Sequence, residues 1–378
     1  MSKSTICLNM IVKNEIKTLP RLFESLKTII HTYVIVDTGS TDGTQDYISK
    51  YMNEANIPGQ LYERPWINFG VNRQIALDLA KDTADYAMII DADEELVLSD
   101  ASIYKNLNLD CYKIIRKYSS VEYELPFLIN ISNQDEIGWK WNAPVHNYLT
   151  SNKTLTQACI SKKDSYILSH PHQGAKSHGV SSKEKYLKDV ALLRGELIKN
   201  PSDARTVFYL AQSYKDAEEY NKAALHYIQR TKMDGWKEEI FYSFFQLGLH
   251  SLHRLNDVSA AESYFLQALE KNPQRTPEIS FVLTKYFRGK NKLNKALFWG
   301  MAGLIYTLNE IELHKFLFVD SEIYRWKLQD ELSLTLYYSK DIKLAKSLMK
   351  NILPLVPASQ KQRVIANINW CNKSLTSE

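Results

Sequence analysis

Long apolar runs are missing from this chain. No stretch reaches the roughly 18 apolar residues that a membrane-crossing helix needs, so no membrane span is expected. The N-terminus runs almost directly into an apolar segment, without the charged, apolar, small-residue order of a secretory leader. A soluble, cytoplasmic protein is the expectation. Cysteine is scarce too: Cys7, Cys111, Cys159 and Cys371 are scattered, with no Cys-x-x-Cys or Cys/His metal spacing. Reduced, buried thiols are therefore expected rather than a disulfide framework. Neither sign of charge dominates. The 47 Lys and Arg against 43 Asp and Glu leave +4, with a pI near 8.6, too mild for a nucleic-acid binder. Glycine-rich phosphate loops are absent. Neither Gly-x-Gly-x-x-Gly nor Gly-x-x-x-x-Gly-Lys-Ser/Thr occurs, which removes the main signal for dinucleotide-binding and phosphate-loop enzymes.

What is present is an ordinary globular composition, 44% apolar and 24% charged over 378 residues, enough for two or three domains. The organising stretch is Asp85–Glu95. Its apolar run from Ala87 to Ile90 stops at Asp91 and Asp93, as a strand buried on both faces does at its exit from a parallel sheet. Ligands of open α/β sheets bind at such strand ends. Two carboxylates one residue apart can share a hard divalent ion, Mg²⁺ or Mn²⁺. An acidic loop closing a core strand is the plainer alternative.

The residues before it alternate between strand and helix patterns. Ile6–Val12 reads as a buried strand, followed by Leu19, Leu22, Phe23 and Leu26 at helical spacing. Tyr33–Val36 is a second strand, ending at Asp37. The Gly- and hydroxyl-rich turn 38–44 follows, with Asp42 placed to cap the helix Thr44–Tyr51. Leu61–Glu63 is a third strand, and a helix leads through Ala80 to the fourth. This alternation predicts a parallel sheet with crossover helices. Asn14/Glu15, Asp37 and Asp91/Asp93 should then gather along one sheet edge. Asp37 could bond a nucleobase N–H or a ribose hydroxyl, or simply form the turn. Arg73, near a helix start, could meet a phosphate or lie exposed.

Four segments carry a resemblance: Ile-Val-Lys-Asn-Glu (11–15), Val-Asp-Thr-Gly-Ser-Thr-Asp-Gly-Thr (36–44), Trp-Ile-Asn-Phe-Gly-Val-Asn-Arg (66–73) and Ile-Ile-Asp-Ala-Asp-Glu (89–94). In this order and spacing they resemble the family-2 glycosyltransferases of GT-A fold. The resemblance implies a nucleotide-sugar donor, a UDP-sugar first among them. It implies that Asp37 contacts the nucleoside and that Asp91 and Asp93 hold the diphosphate through the metal. Asn14, Glu15, Ser40, Asn72, Arg73 and Ala92 would lie around the donor.

Residues 111–171 read as β-rich and irregular, with Pro126 placing one strand at an edge or a bulge. In GT-A enzymes this half builds the acceptor side. Trp139 and Trp141 either stack on a sugar or fill the core. His146 could complete the metal sphere or accept a proton, or be a structural histidine. Related transferases with helical repeats show Val-His-Glu here, and this chain has Asn147 where the Glu would stand. The general-base role then falls among His146, Asp135, Glu136 and the acids Glu94 and Glu95. His170 and His172 alternate as a pair on a strand would. In the stretch that resembles the family's His-x-Gly-x-x-Ser segment, His172 and Lys176 are further donor-binding candidates.

From Ser181 helical periodicity lasts to the end. Ala223, Ala261, Ala296 and Ala345 recur at intervals of 38, 35 and 49, near the roughly 34-residue tetratricopeptide period. Val207–Ala217 resembles the first repeat of glycosyltransferases with a C-terminal tetratricopeptide array. The expected architecture is a GT-A α/β domain over 1–180 and a tetratricopeptide-like helical domain over 181–378. The array either recruits a peptide, protein or glycan acceptor, buttresses the first domain, or makes a homodimer. Its Trp236, Trp299 and Trp326 are expected in the core.

The expected activity is metal-dependent, inverting transfer of a sugar from a nucleotide-sugar to a glycan or protein/peptide acceptor. A rival is a tetratricopeptide adaptor whose first domain has lost catalysis. A nucleotidyltransferase would use the same paired acids, but the Asp37 turn and the 66–73 segment resemble the transferase pattern instead.

Overall fold

The computed structural model describes residues 3–170, 181–307 and 312–376. The chain forms two compact units, Met1–Gln229 and Arg230–Glu378. Secondary structure changes class earlier, since among the described residues the elements from Ser182 onward are helices. The expected boundary at 180/181 therefore marks the change of element type, while the packing divides about fifty residues later.

Unit one is built on β1 (Ile6–Val12), β2 (Thr32–Asp37), β3 (Gly59–Glu63) and β4 (Tyr86–Ile89), with α1 (Leu19–Leu26), α2 (Thr44–Glu54) and α3 (Phe69–Leu79) between them. β5 (Glu94–Leu98), β6 (Cys111–Tyr118), β7 (Val121–Asn130), the one-turn α4 (Gln134–Ile137), β8 (Lys140–Asn142), β9 (Tyr148–Thr150), β10 (Gln157–Cys159) and β11 (Ser165–Ser169) complete its β region. The main sheet runs β3-β2-β1-β4-β7-β6-β11-β5, with β10 beside β6, and β8 and β9 make a separate ribbon. The first four strands are parallel. β7 is antiparallel to β4 and to β6.

Unbroken apolar runs make sense where both faces are covered. On β1, Ile6, Leu8, Met10 and Val12 enter one core with Tyr86, Met88 and Ile90. Cys7, Ala87 and Ile89 point into the other. The polar exception is Asn9, 4% exposed. Its Nδ2 donates to the Ala76 carbonyl at 2.7 Å, tying α3 to the sheet. Pro126 sits at a bulge rather than an edge: it faces Lys113 while Leu128 faces Tyr112, so Phe127 is the extra residue. β5 is a strand the sequence reading did not anticipate. It pairs antiparallel with β11 at the sheet edge. All four cysteines are free; three are buried as expected, but Cys159 is exposed. Burial pushes the Cys7 thiol up to about 11.

The helices α5 (Ser182–Lys199), α6 (Ala204–Asp216) and most of α7 (Tyr220–Thr231) belong to unit one. A capping box, Ser181 with Glu184, starts α5. Unit two holds α8 (Lys237–His250), α9 (Val258–Lys271), α10 (Thr276–Gly289), α11 (Leu293–Thr307), α12 (Leu328–Tyr338), α13 (Ile342–Ile352) and α14 (Ala358–Thr376). They pack as the pairs α8/α9, α10/α11 and α12/α13. The four recurring alanines are all buried, as close helix approach requires. Short turns at Leu313–Lys315 and Ile323–Lys327 lie in the interval of 49, so the weak fourth match is a helix pair displaced by an insertion. Trp299 and Trp326 are buried; Trp236, expected in the core, is 47% exposed.

Candidate functional site

β1 is where the sheet changes direction of growth. The chain adds β2 and β3 on one side, then returns to place β4 on the other. Val12 lies beside Asp37, and Asn9 beside Ile89. Asn14/Glu15, Asp37 and Asp91/Asp93 therefore leave adjacent strands at one edge, the position where open α/β sheets take ligands. A cleft of about 840 Å³ opens there. Its lining includes Lys13, Asn14, Glu15, Thr38, Arg73 and Asp91–Asp93.

The turn after β2 is held from within. Asp37 is fully buried. Its Oδ1 accepts from the Gly39 and Ser40 N–H groups and from Gln45 Nε2, at 2.9, 2.8 and 3.0 Å. Its Oδ2 is buried with no hydrogen-bond partner, a costly state for a carboxylate oxygen. Asn14, at φ +55, accepts from the Thr41 N–H at 2.7 Å and donates its own N–H to Ser40 Oγ at 2.8 Å. Asn14 and Ser40 thus lock β1 to the turn. The Glu15 N–H donates to Thr44 Oγ1. Asp42 is not the helix cap; Gly43 takes that place in the left-handed region. Asp42 instead ties the Thr44 and Ile16 N–H groups together.

The acids after β4 divide in role. Asp91 pairs with the Arg73 guanidinium, which also lies 5.1 Å from the Trp141 ring centroid. Asp93 is pushed up to about 7 by burial and by the neighbouring charges of Asp91, Glu94 and Glu15. Two hard carboxylates that repel each other at a strand end fit a divalent cation. Glu94, expected as a base candidate, belongs to the interior. It is 4% exposed and pairs with buried Arg116. It also accepts from the Asp91 N–H at 2.9 Å and from Ser169 Oγ at 3.0 Å. With both oxygens engaged by partners it holds the acidic turn rather than moving a proton. Glu95 bonds His170 Nε2 at 2.9 Å.

α3 begins at Asn68, whose side chain accepts from the Val71 N–H. Asn72 is fully buried. Its Oδ1 accepts from the Ile67 and Asn68 N–H groups and its Nδ2 donates to the Pro65 carbonyl. It shapes the 65–68 loop from beneath instead of facing a ligand. That loop presents Trp66, 41% exposed and edge-on to Phe69, to the cleft.

Three expected residues lie elsewhere. Asp135 and Glu136 pair with Lys81 and Lys153, in the turn after β7, where the Ile131 N–H donates to the Asp85 carbonyl at the start of β4. That is the sheet edge opposite Asp91, so neither serves as base there. His146, at φ +51, stacks on Tyr209 of α6, 4.2 Å between ring centroids. Its neighbour Val145 lines the cleft, and His146 does not. Among the described residues no three His, Cys, Asp or Glu side chains converge on a metal position, so His146 does not join Asp91 and Asp93. Asn147 leaves its Nδ2 buried without a partner. Trp139 is core, its Nε1 donating to the Asn130 carbonyl. His172 and Lys176 lie outside the described residues. The residues that sequence reasoning missed are Trp66, Phe69 and the α5 face of Lys185, Lys188 and Leu192, all in the cleft lining. Only the exposed tryptophan beside a strand end gave a signal.

Residues 7–99 match the family model described as glycosyl transferase family 2, a stretch that contains β1–β5 and all three strand ends. A 99-residue stretch is 34% identical to TPR repeat-containing protein Synpcc7942_0270 of Synechococcus elongatus, covering 26% of this chain and 22% of that protein. The match thus spans about a fifth of that relative's length. Among solved structures, S. aureus TarS is similar at a TM-score of 0.37 and 15% identity, over 70% of this chain and 55% of that one. BtubC from P. vanneervenii is similar at 0.40 and 12%, over 52% and 83%.

Proposed function

We propose, from the premise that residues 7–99 carry a family-2 glycosyltransferase domain, that this cleft transfers a sugar from a nucleotide-sugar, a UDP-sugar in the first instance, to an acceptor hydroxyl on a glycan or a protein. The observation that carries the reading is that two unlike carboxylate sites leave adjacent strands at one sheet edge, the acid pair in the cleft lining and Asp37 buried next to Thr38 of that lining. One is Asp37, with a buried oxygen that lacks a donor. The other is the mutually repelling pair Asp91 and Asp93. An N–H or hydroxyl of the nucleoside would satisfy the first. The second would take Mg²⁺ or Mn²⁺ with the donor diphosphate.

In the reaction the bond from the anomeric carbon to the phosphate oxygen breaks, and its electron pair leaves with the nucleoside diphosphate. The acceptor oxygen bonds the anomeric carbon from the opposite face, inverting it, and its proton passes to a carboxylate of the cleft or through it to water. A divalent cation held by Asp91 and Asp93 would supply neutralisation of charge on the leaving diphosphate. Arg73 holds Asp91 in place, and Glu94 with Arg116 fixes the backbone of the acidic turn. Trp66 and Phe69 give an aromatic surface for a base or sugar ring. The carboxylates lining the cleft beyond the metal pair are Glu15 and Asp189.

Incubation with Mn²⁺ and a panel of nucleotide-sugars, read by mass spectrometry, tests this. One donor is hydrolysed slowly, and Asp91→Ala or Asp93→Ala lowers the rate by on the order of a hundredfold or more. Absence of both turnover and binding for every donor overturns the reading.

A further inference from the structure

Three ammonium groups line the cleft without a carboxylate partner. Lys13 follows β1, and Lys185 and Lys188 stand on α5; none of them forms an ion pair among the described residues. Lys183, two residues before Lys185 on the same helix but outside the lining, pairs with Glu219. Lys185, Lys188 and Leu192 follow at helical spacing and share one face; Asp189, the acid that α5 adds to the lining, is 4% exposed.

The lining of the cleft decides what those charges meet. Lys185, Lys188 and Leu192 share it with Asp91 and Asp93, whereas Asp37 is not part of it and is fully buried. A group held by Lys185 and Lys188 therefore faces the acid pair across one cleft.

We propose that the acceptor is anionic, and that Lys185 and Lys188 hold its phosphate or carboxylate while its hydroxyl faces the donor sugar. This rests on the glycosyltransferase reading above and names the acceptor class for it. The acids of the cleft are engaged or withdrawn: Asp91 is paired with Arg73, Glu15 accepts from Thr18 Oγ1 at 2.7 Å, and Asp189 is 4% exposed. Exposed Leu192, with Val145 nearby in the lining, provides apolar contact for the acceptor's carbon skeleton. The lysines select; they are positioning residues and take no proton.

The test uses the full chain and a Lys185→Gln/Lys188→Gln double variant, neither lysine being buried in the core. Calorimetry measures binding of glycerol 3-phosphate and of glucuronate, each against its neutral counterpart, glycerol or glucose. The titrations are run with and without UDP and Mn²⁺, and UDP affinity is measured separately. The expected result is that at least one anion binds wild type about tenfold or more tighter than the double variant, with no binding of the neutral compounds. UDP affinity differs by less than about twofold between the proteins. The anion that binds better, phosphate or carboxylate, identifies the group. Equal weakening of UDP in the variant assigns the lysines to the donor diphosphate and overturns the proposal. So does anion binding that the variant retains, or no anion binding at all. Failure of UDP to bind wild type overturns the glycosyltransferase reading instead, and the anion titrations without UDP still decide the lysine assignment.

Discussion

Asp93 is a carboxylate placed where burial and its acidic neighbours make its charge unwelcome. Its pKa, pushed up to about 7 from 3.8, means the metal-free fold binds a proton there that the unfolded chain has already released. Stability of the metal-free protein should then fall as pH rises from about 4 to about 7 and level off above. Asp93→Asn removes the penalty. Urea unfolding in chelator should show the variant more stable than wild type at pH 8, by on the order of 2 kcal/mol, with the gap closing by pH 4. Equal stability at both pH values would mean that the acids do not strain the fold. Mn²⁺ affinity should weaken with acid below about pH 7, since proton and metal compete for Asp93. Asp37, Asp91 and Asp93 were legible in the sequence because each punctuates an apolar run, and a strand that ends in an acid announces both its end and its edge. Glu94 and Asn72 were not. Their sequence neighbours are functional candidates, while their partners, Arg116 and the Pro65 carbonyl, are fixed only by folding.

Between elements, two contacts decide whether the strand ends stay aligned. Arg116 on β6 joins Glu94 at the start of β5 and the Ile89 carbonyl at the end of β4. Arg116→Met leaves a buried carboxylate unpaired and should cost about 3–5 kcal/mol, read as a lower urea midpoint. Replacing Glu94 by Gln in the same chain should return part of that loss, since the uncompensated charge is its main source. The second contact is the start of α3 against the 143–146 loop. A Cβ on Gly70 would lie 2.4 Å from the Ala143 carbonyl oxygen. Gly70→Ala must part the two segments, costing about 1–3 kcal/mol and loosening Phe69 and Val145 in the cleft. UDP titration should show weaker binding, whereas Gly195→Ala, with open space around its Cβ position, leaves binding unchanged. The alternation of strand and helix was readable up to Asp93 because periodicity reports burial directly. β5 was hidden, since Glu94-Glu95 at its head reads as a polar turn, and its pairing with β11 spans about seventy residues.

For the whole chain, the sequence distinguishes element types better than it distinguishes bodies. The change from strands to helices at 181 is visible in composition. That α5 and α6 pack with the α/β half is not, because helical periodicity does not say which core a helix will cover. A chain ending at Gln229 should fold and keep donor binding. One ending at residue 180 lacks the cleft wall that carries Lys185, Lys188, Ala191 and Leu192, and should be less stable and lose acceptor discrimination. Circular dichroism melting and UDP titration of the two fragments check this, and equal behaviour would place the division at 180. The position of α5 has a bearing on descent. If helical arrays are exchanged among such transferases by recombination at the change of texture, the incoming segment brings one wall of the cleft with it. The lineage would then change acceptor at the moment it changed array, while its donor, held by β1, β2 and β4, passed down untouched.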